Sequence, residues 1–388
     1  KKEIFQFLCF SFFYVIISTT SERNNYGGKF GTDPRFQILK RLFKIAGTPL
    51  FPEKESNLYI LYRNVVVVSG YLTLLTTFIG IVQNITDLEY VLGAARVSFV
   101  MINLIWMHFF ISFNIQKVRN LLNMIGHFTW SDLPLHDHEG SISMAGWIPK
   151  IQNLLWKFNF CDWGFHCLYL VLRGVSSGSY HPLFFDAWSP FNTENIMGYA
   201  VVLLIQGFGS VMIGTSLFAV MGLYISSVAV ACTQLQKIQA ALVNIKQKDE
   251  TLLNDELILC IRHHQQVLRY IKLLEETFNP VLLGPFMSVV AALCFTAYAA
   301  ITVSILFMKL LLNIFCMKLL LNIFCMKYSE ITIRSLKIRD AAWHTDWVGA
   351  PSSFQRSVLF MIAVSKEFTL TAGKILPVSR RTFMMVSS

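Results

Sequence analysis

A run of 46 residues from Val281 to Met326 contains only two charged side chains, Lys309 and Lys318. As a single helix rising 1.5 Å per residue, this run would be ~69 Å long, over twice the ~30 Å thickness of a bilayer's hydrocarbon core. Because one helix of that length does not fit the bilayer, the run must turn back. We expect the turn between Thr302 and Lys309.

The composition favours a membrane protein. Hydrophobic residues make up 54% of the chain and charged residues 14%, with a mean hydropathy of +0.51, values outside the range of soluble globular domains. The net charge of +10 does not indicate nucleic-acid binding, because the basic residues are dispersed among apolar runs. The cysteines show no CxxC spacing, and the adjacent loop residues His136–Glu139 are a poor metal site. We therefore expect no metal and no cofactor.

Four further apolar stretches precede this run, and each is long enough to cross a bilayer as a helix. They are Tyr59–Asn84, Leu88–Phe113, Trp147–Leu172 and Ile196 to about Cys232. Together with two spans in the later run, residues 59–326 are predicted to hold six transmembrane helices. The fourth stretch is rich in glycine, which permits close approach of neighbouring helices.

The N-terminal part precedes the first span. Residues 1–33 are treated as an extension whose basic and apolar start resembles a signal peptide. In residues 34–58, the pattern RFQILKRLFK predicts an amphipathic helix lying at a surface, which Pro49 and Pro52 should end. Its apolar face consists of Phe36, Leu39 and Phe43.

Two later segments are also amphipathic. Residues 233–276 are predicted to form one long cytoplasmic helix, with His263 and His264 on a solvated face beside basic residues. Residues 327–376 are predicted to form a cytoplasmic anchor segment. The final apolar segment, 377–388, follows it and is expected to begin a seventh span, since Pro377–Ser388 would reach only ~18 Å as a helix.

The distribution of basic residues sets the predicted orientation. Residues 1–58 hold nine Lys and Arg, residues 233–276 hold six and residues 327–381 hold nine, whereas the loop at 173–194 holds one and the loop near Thr86 holds none. The positive-inside rule therefore places the N-terminus in the cytoplasm. With seven spans, the C-terminus is extracellular. The predicted fold is thus all-α, with seven transmembrane helices.

Several blocks of the chain resemble one family, the insect odorant receptors. These blocks are LFFDAWSPFNTENIMGYAVVLLIQ at Leu183–Gln206, HHQQVLRYIKLLEETFNPVLLGPFMSVVAALCFTAYAAIT at His263–Thr302, RDAAWHTDW at Arg339–Trp347 and LTAGKILPVSRRTF at Leu370–Phe383. The resemblance covers the chain from about Pro34 onward. It implies an odorant-specific subunit, not the coreceptor, of a non-selective cation channel gated by volatile small molecules. It further implies a hetero-tetramer with an obligate coreceptor, in the plasma membrane of olfactory sensory neurons.

The resemblance also implies site residues. The family's odorant site lies in the outer halves of the second, third, fourth and sixth spans, and in this chain the corresponding positions are Tyr90, Ala94, Val97, Phe165, His166, Tyr169, Tyr199, Leu203 and Gln206. The last helix of the family lines the pore, which here corresponds to Phe383, Met384, Met385, Val386 and Ser387. Assembly below the membrane is expected to involve Trp343, Trp347, Phe354, Phe360 and Phe368. No catalytic residue is implied.

The chain departs from the family in two places. The nonapeptide MKLLLNIFC occurs at Met308–Cys316 and again at Met317–Cys325, which favours a sequence duplication over a functional repeat. The sixth span therefore differs from the family pattern, and the seventh is expected to be truncated. A G-protein-coupled chemoreceptor, which needs an external N-terminus, and a gustatory-type channel remain alternatives, although the gustatory ending is absent. No HExxH, GxSxG or inverted repeat supports an enzyme or a transporter.

Overall fold

The computed structural model describes residues 34–50, 56–136, 140–177, 181–245, 250–302 and 330–365, together with 371–372, 374 and 376–377. Nine helices lie in these ranges: α1 (Gln37–Ile45), α2 (Asn57–Gln83), α3 (Leu88–Phe113), α4 (Ile115–Gly126), α5 (Ile148–Ser177), α6 (Ile196–Asn244), α7 (Glu250–Thr302), α8 (330–343) and α9 (Ser352–Val364). Two short antiparallel strands follow, β1 (Thr371–Ala372) and β2 (Leu376–Pro377), with Thr371 opposite Pro377. The predicted all-α class is confirmed.

Three helices within the described ranges are long and apolar enough to cross a membrane. They are α2, the Gly93–Phe113 part of α3, and α6. The predicted bounds of the first two spans agree with α2 and α3 to within two residues. The turn expected after Thr302, both MKLLLNIFC copies, Phe368 and the pore residues at 383–387 lie outside the described residues. The count of seven spans and the orientation of the termini therefore stay predictions.

The chain divides into two compact units. The first contains residues up to Phe113 and Gln152–Gly222, and the second contains Asn114–Ile151 and the chain from Leu223 onward. The division falls within α5 and α6, so each of these helices contributes one part to each unit.

In the first unit, α1 confirms the predicted amphipathic helix, since Phe36, Leu39 and Phe43 are all buried. The helix does not end at the prolines, however. It ends at Ile45, and Gly47, two residues further on, has a left-handed φ of +79°. The amide of Thr48 bonds the carbonyl of Phe43 at 2.9 Å, which completes a Schellman motif before the prolines are reached.

Small residues bring α2 and α6 together in the first unit. A Cβ on Gly209 would lie 2.5 Å from the Thr73 hydroxyl oxygen and 2.9 Å from the Ser69 carbonyl oxygen, and Gly70 lies against Met212. A Cβ on Gly222 would meet Leu39 of α1 at 3.2 Å and Leu155 of α5 at 3.3 Å. The close approach expected from the glycines of the fourth stretch is therefore confirmed. Dispersion contacts between closely spaced backbones hold such helices together where lipid surrounds them.

The second unit is built on a helical hairpin, so the single helix predicted over 233–276 is wrong. Helix α6 ends at Asn244, where the Ile245 amide bonds the carbonyl of Leu242, and α7 begins at Glu250. The two arms are antiparallel: Gln234 pairs with His263, Ser227 with Tyr270 and Tyr224 with Phe278.

The solvated face expected for His263 and His264 is also wrong, because both side chains are buried. The His263 ring lies 4.4 Å from the Trp130 ring and 5.8 Å from the Phe128 ring, centroid to centroid. Its Nε2 donates to Gln234 Oε1 at 3.1 Å. The turn after α4 therefore covers the side of α7 that carries His263. The arginines near His263 in the sequence had suggested that this side was exposed to solvent. Burial, with the nearby Lys237 charge, lowers the pKa of His263 to about 4, and burial lowers the pKa of His264 to about 4.

Candidate functional site

The segment between α5 and α6, residues 181–195, folds back onto helices of the first unit, and we call it the α5–α6 loop. Its main anchor is Gln206 of α6, a side chain that is only 2% exposed. Gln206 Oε1 accepts from the amides of Phe184 at 3.0 Å and Phe185 at 3.2 Å, and its Nε2 donates to the Phe185 carbonyl at 3.1 Å. One buried amide side chain thus satisfies two backbone donors and one backbone acceptor of the loop.

Two further side chains hold the same loop. Arg173, near the end of α5, donates one guanidinium nitrogen to the Leu183 carbonyl at 3.1 Å and pairs with Asp186 through another. Tyr199, in the first turn of α6, donates its hydroxyl to the Pro182 carbonyl at 3.0 Å. Its ring also lies 4.7 Å from the ring of His181. The loop is therefore fixed to both helices that it connects.

The loop also reaches α2, at a point where α2 lies against Tyr90 of α3. The Trp188 amide donates to the Thr76 carbonyl of α2 at 3.0 Å. Gly80 of α2 leaves room for this approach, since a Cβ there would lie 2.6 Å from the Tyr90 hydroxyl and 3.0 Å from the Trp188 amide nitrogen. Any larger residue at this position would have to displace the loop backbone. Four helices of the first unit consequently meet the loop or its immediate neighbours.

Below the loop, α5 presents a histidine and a carboxylate one turn apart. The His166 ring lies 6.2 Å from the Phe185 ring, edge to face. His166 Nδ1 lies 2.9 Å from the Asp162 carbonyl oxygen, so this nitrogen carries the proton and donates it. The Asp162 carboxylate oxygen Oδ1 lies 3.8 Å from the same Nδ1. Asp162 and His166 are not the sole ionisable side chains of α5, which also carries Lys150, Lys157 and Arg173.

The structure brings part of the predicted ligand set together. Tyr90, His166, Tyr199 and Gln206 all lie at the α5–α6 loop or against the residues it touches. The remaining members differ in exposure: Ala94 and Leu203 are buried, Val97 and Tyr169 are half-buried, and Phe165 is half exposed. Sequence reasoning missed Phe184, Phe185, Trp188 and Asp162. The signal for the first three was the aromatic run LFFDAW, which is unusual in a loop expected to face water.

The predicted assembly residues lie in the second unit. Trp343 and Phe360 are exposed, at 58% and 47%, whereas Phe354 is buried. Trp347 is half-buried; its indole nitrogen donates to the Trp343 carbonyl at 3.1 Å, and the two rings lie 5.5 Å apart. Among the residues that the structure describes, no group of three or more His, Cys, Asp or Glu side chains is placed to hold a metal ion.

Three apolar helices of membrane-spanning length are typical of a multi-pass helical membrane protein. The chain belongs to the 7tm odorant receptor family, whose model matches residues 87–388. The family expected from the sequence blocks is thereby confirmed, and with it the function as an odorant receptor.

Solved structures share the fold over nearly the whole chain. The insect olfactory receptor OR5 from Machilis hrabei matches with a TM-score of 0.69 and 15% sequence identity, covering 91% of this chain and 94% of that one. The structure of the same receptor in complex with eugenol matches equally well, with a TM-score of 0.69 and 15% identity over the same shares. At this identity the likeness concerns the fold. No sequence among the curated proteins matches this chain.

Proposed function

We propose that this chain is an odorant-specific subunit that binds volatile small molecules beneath the α5–α6 loop and gates a non-selective cation channel with an obligate coreceptor. Binding would be transmitted to a pore formed by the end of the chain, at Phe383–Ser387. The proposed location is the plasma membrane of olfactory sensory neurons, which the chain would cross several times.

The observation that carries the proposal is the anchoring of the loop. Thr76 of α2, Arg173 of α5, and Tyr199 and Gln206 of α6 are joined through one short stretch of backbone, Pro182–Trp188. A loop held by this many hydrogen bonds can close a site between helices and keep water out of it. The polar side chains are already occupied by backbone groups, so the ligand would be bound mainly by apolar contact.

An apolar site suits volatile ligands. Burying apolar surface contributes roughly 25 cal/mol per Å², so a small odorant gains useful affinity with few polar contacts. The structure of OR5 with eugenol shows that a receptor of the same fold takes a small aromatic ligand. We extend that ligand class to this chain, with Tyr90, Ala94, Val97, Phe165, His166, Tyr169, Tyr199, Leu203 and Gln206 as the binding residues.

Subunit assembly is assigned to the second unit. The exposed rings of Trp343 and Phe360 and the half-buried ring of Trp347 offer apolar contact to a partner subunit. Phe354 is packed inside the unit and would support these rings from beneath. In this arrangement residues 34–58 lie along the cytoplasmic surface, residues 59–326 cross the membrane and residues 327–376 form the anchor.

The test is odorant-evoked current in cells that express this chain together with an odorant receptor coreceptor. We expect inward cation current with a broad panel of volatile compounds, and none from the coreceptor alone with the same panel. Silence across the panel, with the chain shown at the cell surface, would refute the proposal. An epitope at the N-terminus that antibody reaches only after permeabilisation would support the channel topology, whereas an externally accessible epitope would indicate a G-protein-coupled arrangement.

A further inference from the structure

Helix α1 lies at the end of the first unit that is opposite the α5–α6 loop. The hydroxyl of Tyr62, in the second turn of α2, donates to the carbonyl of Ile45, the last residue of α1, at 2.9 Å. The amide of Leu39 in α1 donates to Oε1 of Gln152, near the start of α5, at 3.3 Å. The α5–α6 loop, in contrast, contacts the later part of α2 and the end of α5. Helix α1 therefore crosses the starts of α2 and α5.

This position places α1 at the surface of the bilayer. Helix α2 has 27 residues, which is ~40 Å at 1.5 Å per residue, whereas the hydrocarbon core is ~30 Å thick. A centred α2 therefore has roughly 5 Å of helix at each end in the headgroup region. The hydroxyl of Tyr59, in the first turn of α2, donates to the Lys44 carbonyl of α1 at 2.8 Å, and tyrosine is typical of membrane–water interfaces. The C-terminal end of α1 is accordingly level with the lipid headgroups.

The outer face of α1 is basic. The apolar side chains of this helix are buried within the first unit, whereas Arg41 is exposed and Lys40 and Lys44 are half-buried. Lys44 lies three residues after Arg41 and four after Lys40, so all three side chains share one side of the helix. The Lys44 ammonium also lies 5.2 Å from the centroid of the Tyr59 ring, at the depth where α2 enters the membrane. This face therefore presents its positive charges at headgroup level.

The excess of positive charge extends over the whole segment. Residues 34–50 contain four Lys and Arg and no Asp or Glu, and residues 34–63 contain six basic residues against two acidic ones. At the opposite end of the first unit, the α5–α6 loop contains two acidic residues and no Lys or Arg. The two ends of the unit thus carry charges of opposite sign. A partner with negative charge is complementary only to the α1 end.

Depth and charge together select the partner. Lys and Arg clustered on a helix at the membrane surface attract anionic lipid headgroups. At physiological ionic strength the potential of an anionic surface acts over ~8 Å, and a helix at headgroup level lies within this distance. A soluble acidic partner would have to compete with the headgroups for this face, whereas phospholipids already surround it. The observations therefore favour a lipid.

We propose that the outer face of α1 binds anionic phospholipid headgroups, with Arg41 at its centre and Lys40 and Lys44 beside it. In the predicted topology these lipids belong to the cytoplasmic leaflet, whose surface is negatively charged. The headgroups hold the outer face of α1, and the unit holds its buried face. Anionic lipid would in this way keep the starts of α2 and α5 at a fixed depth.

The test measures lipid binding to the purified full chain in detergent by native mass spectrometry, with no odorant and no coreceptor. Palmitoyl-oleoyl phosphatidylserine and palmitoyl-oleoyl phosphatidylcholine are compared, because they share their acyl chains and differ in net charge. Phosphatidylserine should bind roughly 5- to 25-fold more tightly, since one basic residue near an anionic surface contributes a factor of about five. This preference should decrease as the salt concentration is raised.

Substitutions assign the preference to α1. Arg41→Gln should lower it about fivefold, Arg41→Lys should retain it because the charge is kept, and the combination with Lys40→Gln and Lys44→Gln should remove it. Lys337→Gln is the matched control, because Lys337 is an exposed basic residue of the second unit, and it should leave the preference unchanged. If the triple variant unfolds, Arg41→Glu replaces it, since this change alters one exposed side chain and should also remove the preference.

Two outcomes would overturn the inference. One is equal binding of both lipids by the unsubstituted chain, which would show that the α1 face is open to water and takes no lipid. The other is a preference for phosphatidylserine that survives the triple variant or Arg41→Glu, which would place the lipid elsewhere. Because no odorant enters the measurement, either outcome leaves the proposed function standing.

Discussion

Gln206 offers the sharpest test of the anchored loop, through the near-isosteric change Gln206→Met. The substitution keeps the apolar volume but removes both the acceptor of the Phe184 and Phe185 amides and the donor to the Phe185 carbonyl. A buried backbone group without a partner costs about 1–3 kcal/mol. Some of the three backbone groups freed by the substitution can form hydrogen bonds with water instead, so we count the cost of one unsatisfied group and not of three. The closed loop should therefore be disfavoured by roughly 5- to 150-fold.

If odorants bind only beneath the closed loop, a smaller fraction of molecules with the loop closed lowers the apparent affinity for the odorant by the same factor. The EC50 for odorant-evoked current in cells that also express the coreceptor should rise by that factor, with the maximal current retained at saturating odorant. Gln265→Met is the matched control, because Gln265 is exposed on α7, and its EC50 should be unchanged. An unchanged EC50 for Gln206→Met, at equal surface level, would refute the reasoning that the loop closes the site.

Three further predictions follow from individual contacts. Gly80→Val should raise the odorant EC50 by displacing the loop, since even a Cβ would lie 3.0 Å from the Trp188 amide nitrogen; normal potency at normal surface level would contradict this. Gly47→Ala should destabilise the first unit by about 1–2 kcal/mol, because φ of +79° is unfavourable for alanine, and should lower the melting temperature of the purified chain. Gly93→Ala, with open space around its Cβ position, is the control and should not lower it. The second unit should lose stability as pH falls from about 6.5 to about 4. The pKa values of buried His263 and His264 are lowered to about 4 in the folded chain, so the unfolded chain binds more protons in this interval and is favoured by acid. Hydrogen exchange of α7 amides at pH 7 and pH 5 measures this, and equal protection at both values would contradict it.

Much of the helical layout follows from local sequence properties. The bounds of α2 and α3 can be predicted from hydropathy alone, because a helix that faces lipid must be apolar over the whole width of the bilayer. The buried face of α1 follows from its helical periodicity. The glycines of α6 predicted close helix approach, and Gly209 and Gly222 provide it. These features depend on residues near one another in the chain, which is why they are readable from it.

Other features depend on which distant segments meet, and only the tertiary structure decided them. Residues 233–276 have the periodicity of one helix, yet contacts such as Tyr270 with Ser227 require a hairpin. His263 has charged neighbours in sequence, but Phe128 and Trp130 cover it from a segment more than a hundred residues away.

The same reason separates the two halves of the candidate site. The resemblance to the family predicts Tyr199 and Gln206 as ligand-site positions, because matching a family pattern needs only the order of residues in the chain. The packing of α5 against α6 decides two other features. Gln206 forms hydrogen bonds with the loop backbone, and Gly214 lies beside Asp162. Hydropathy and periodicity describe what a helix can face. Its actual partners are set by side-chain packing and hydrogen-bond satisfaction over the whole unit, and these are determined only when the helices are assembled.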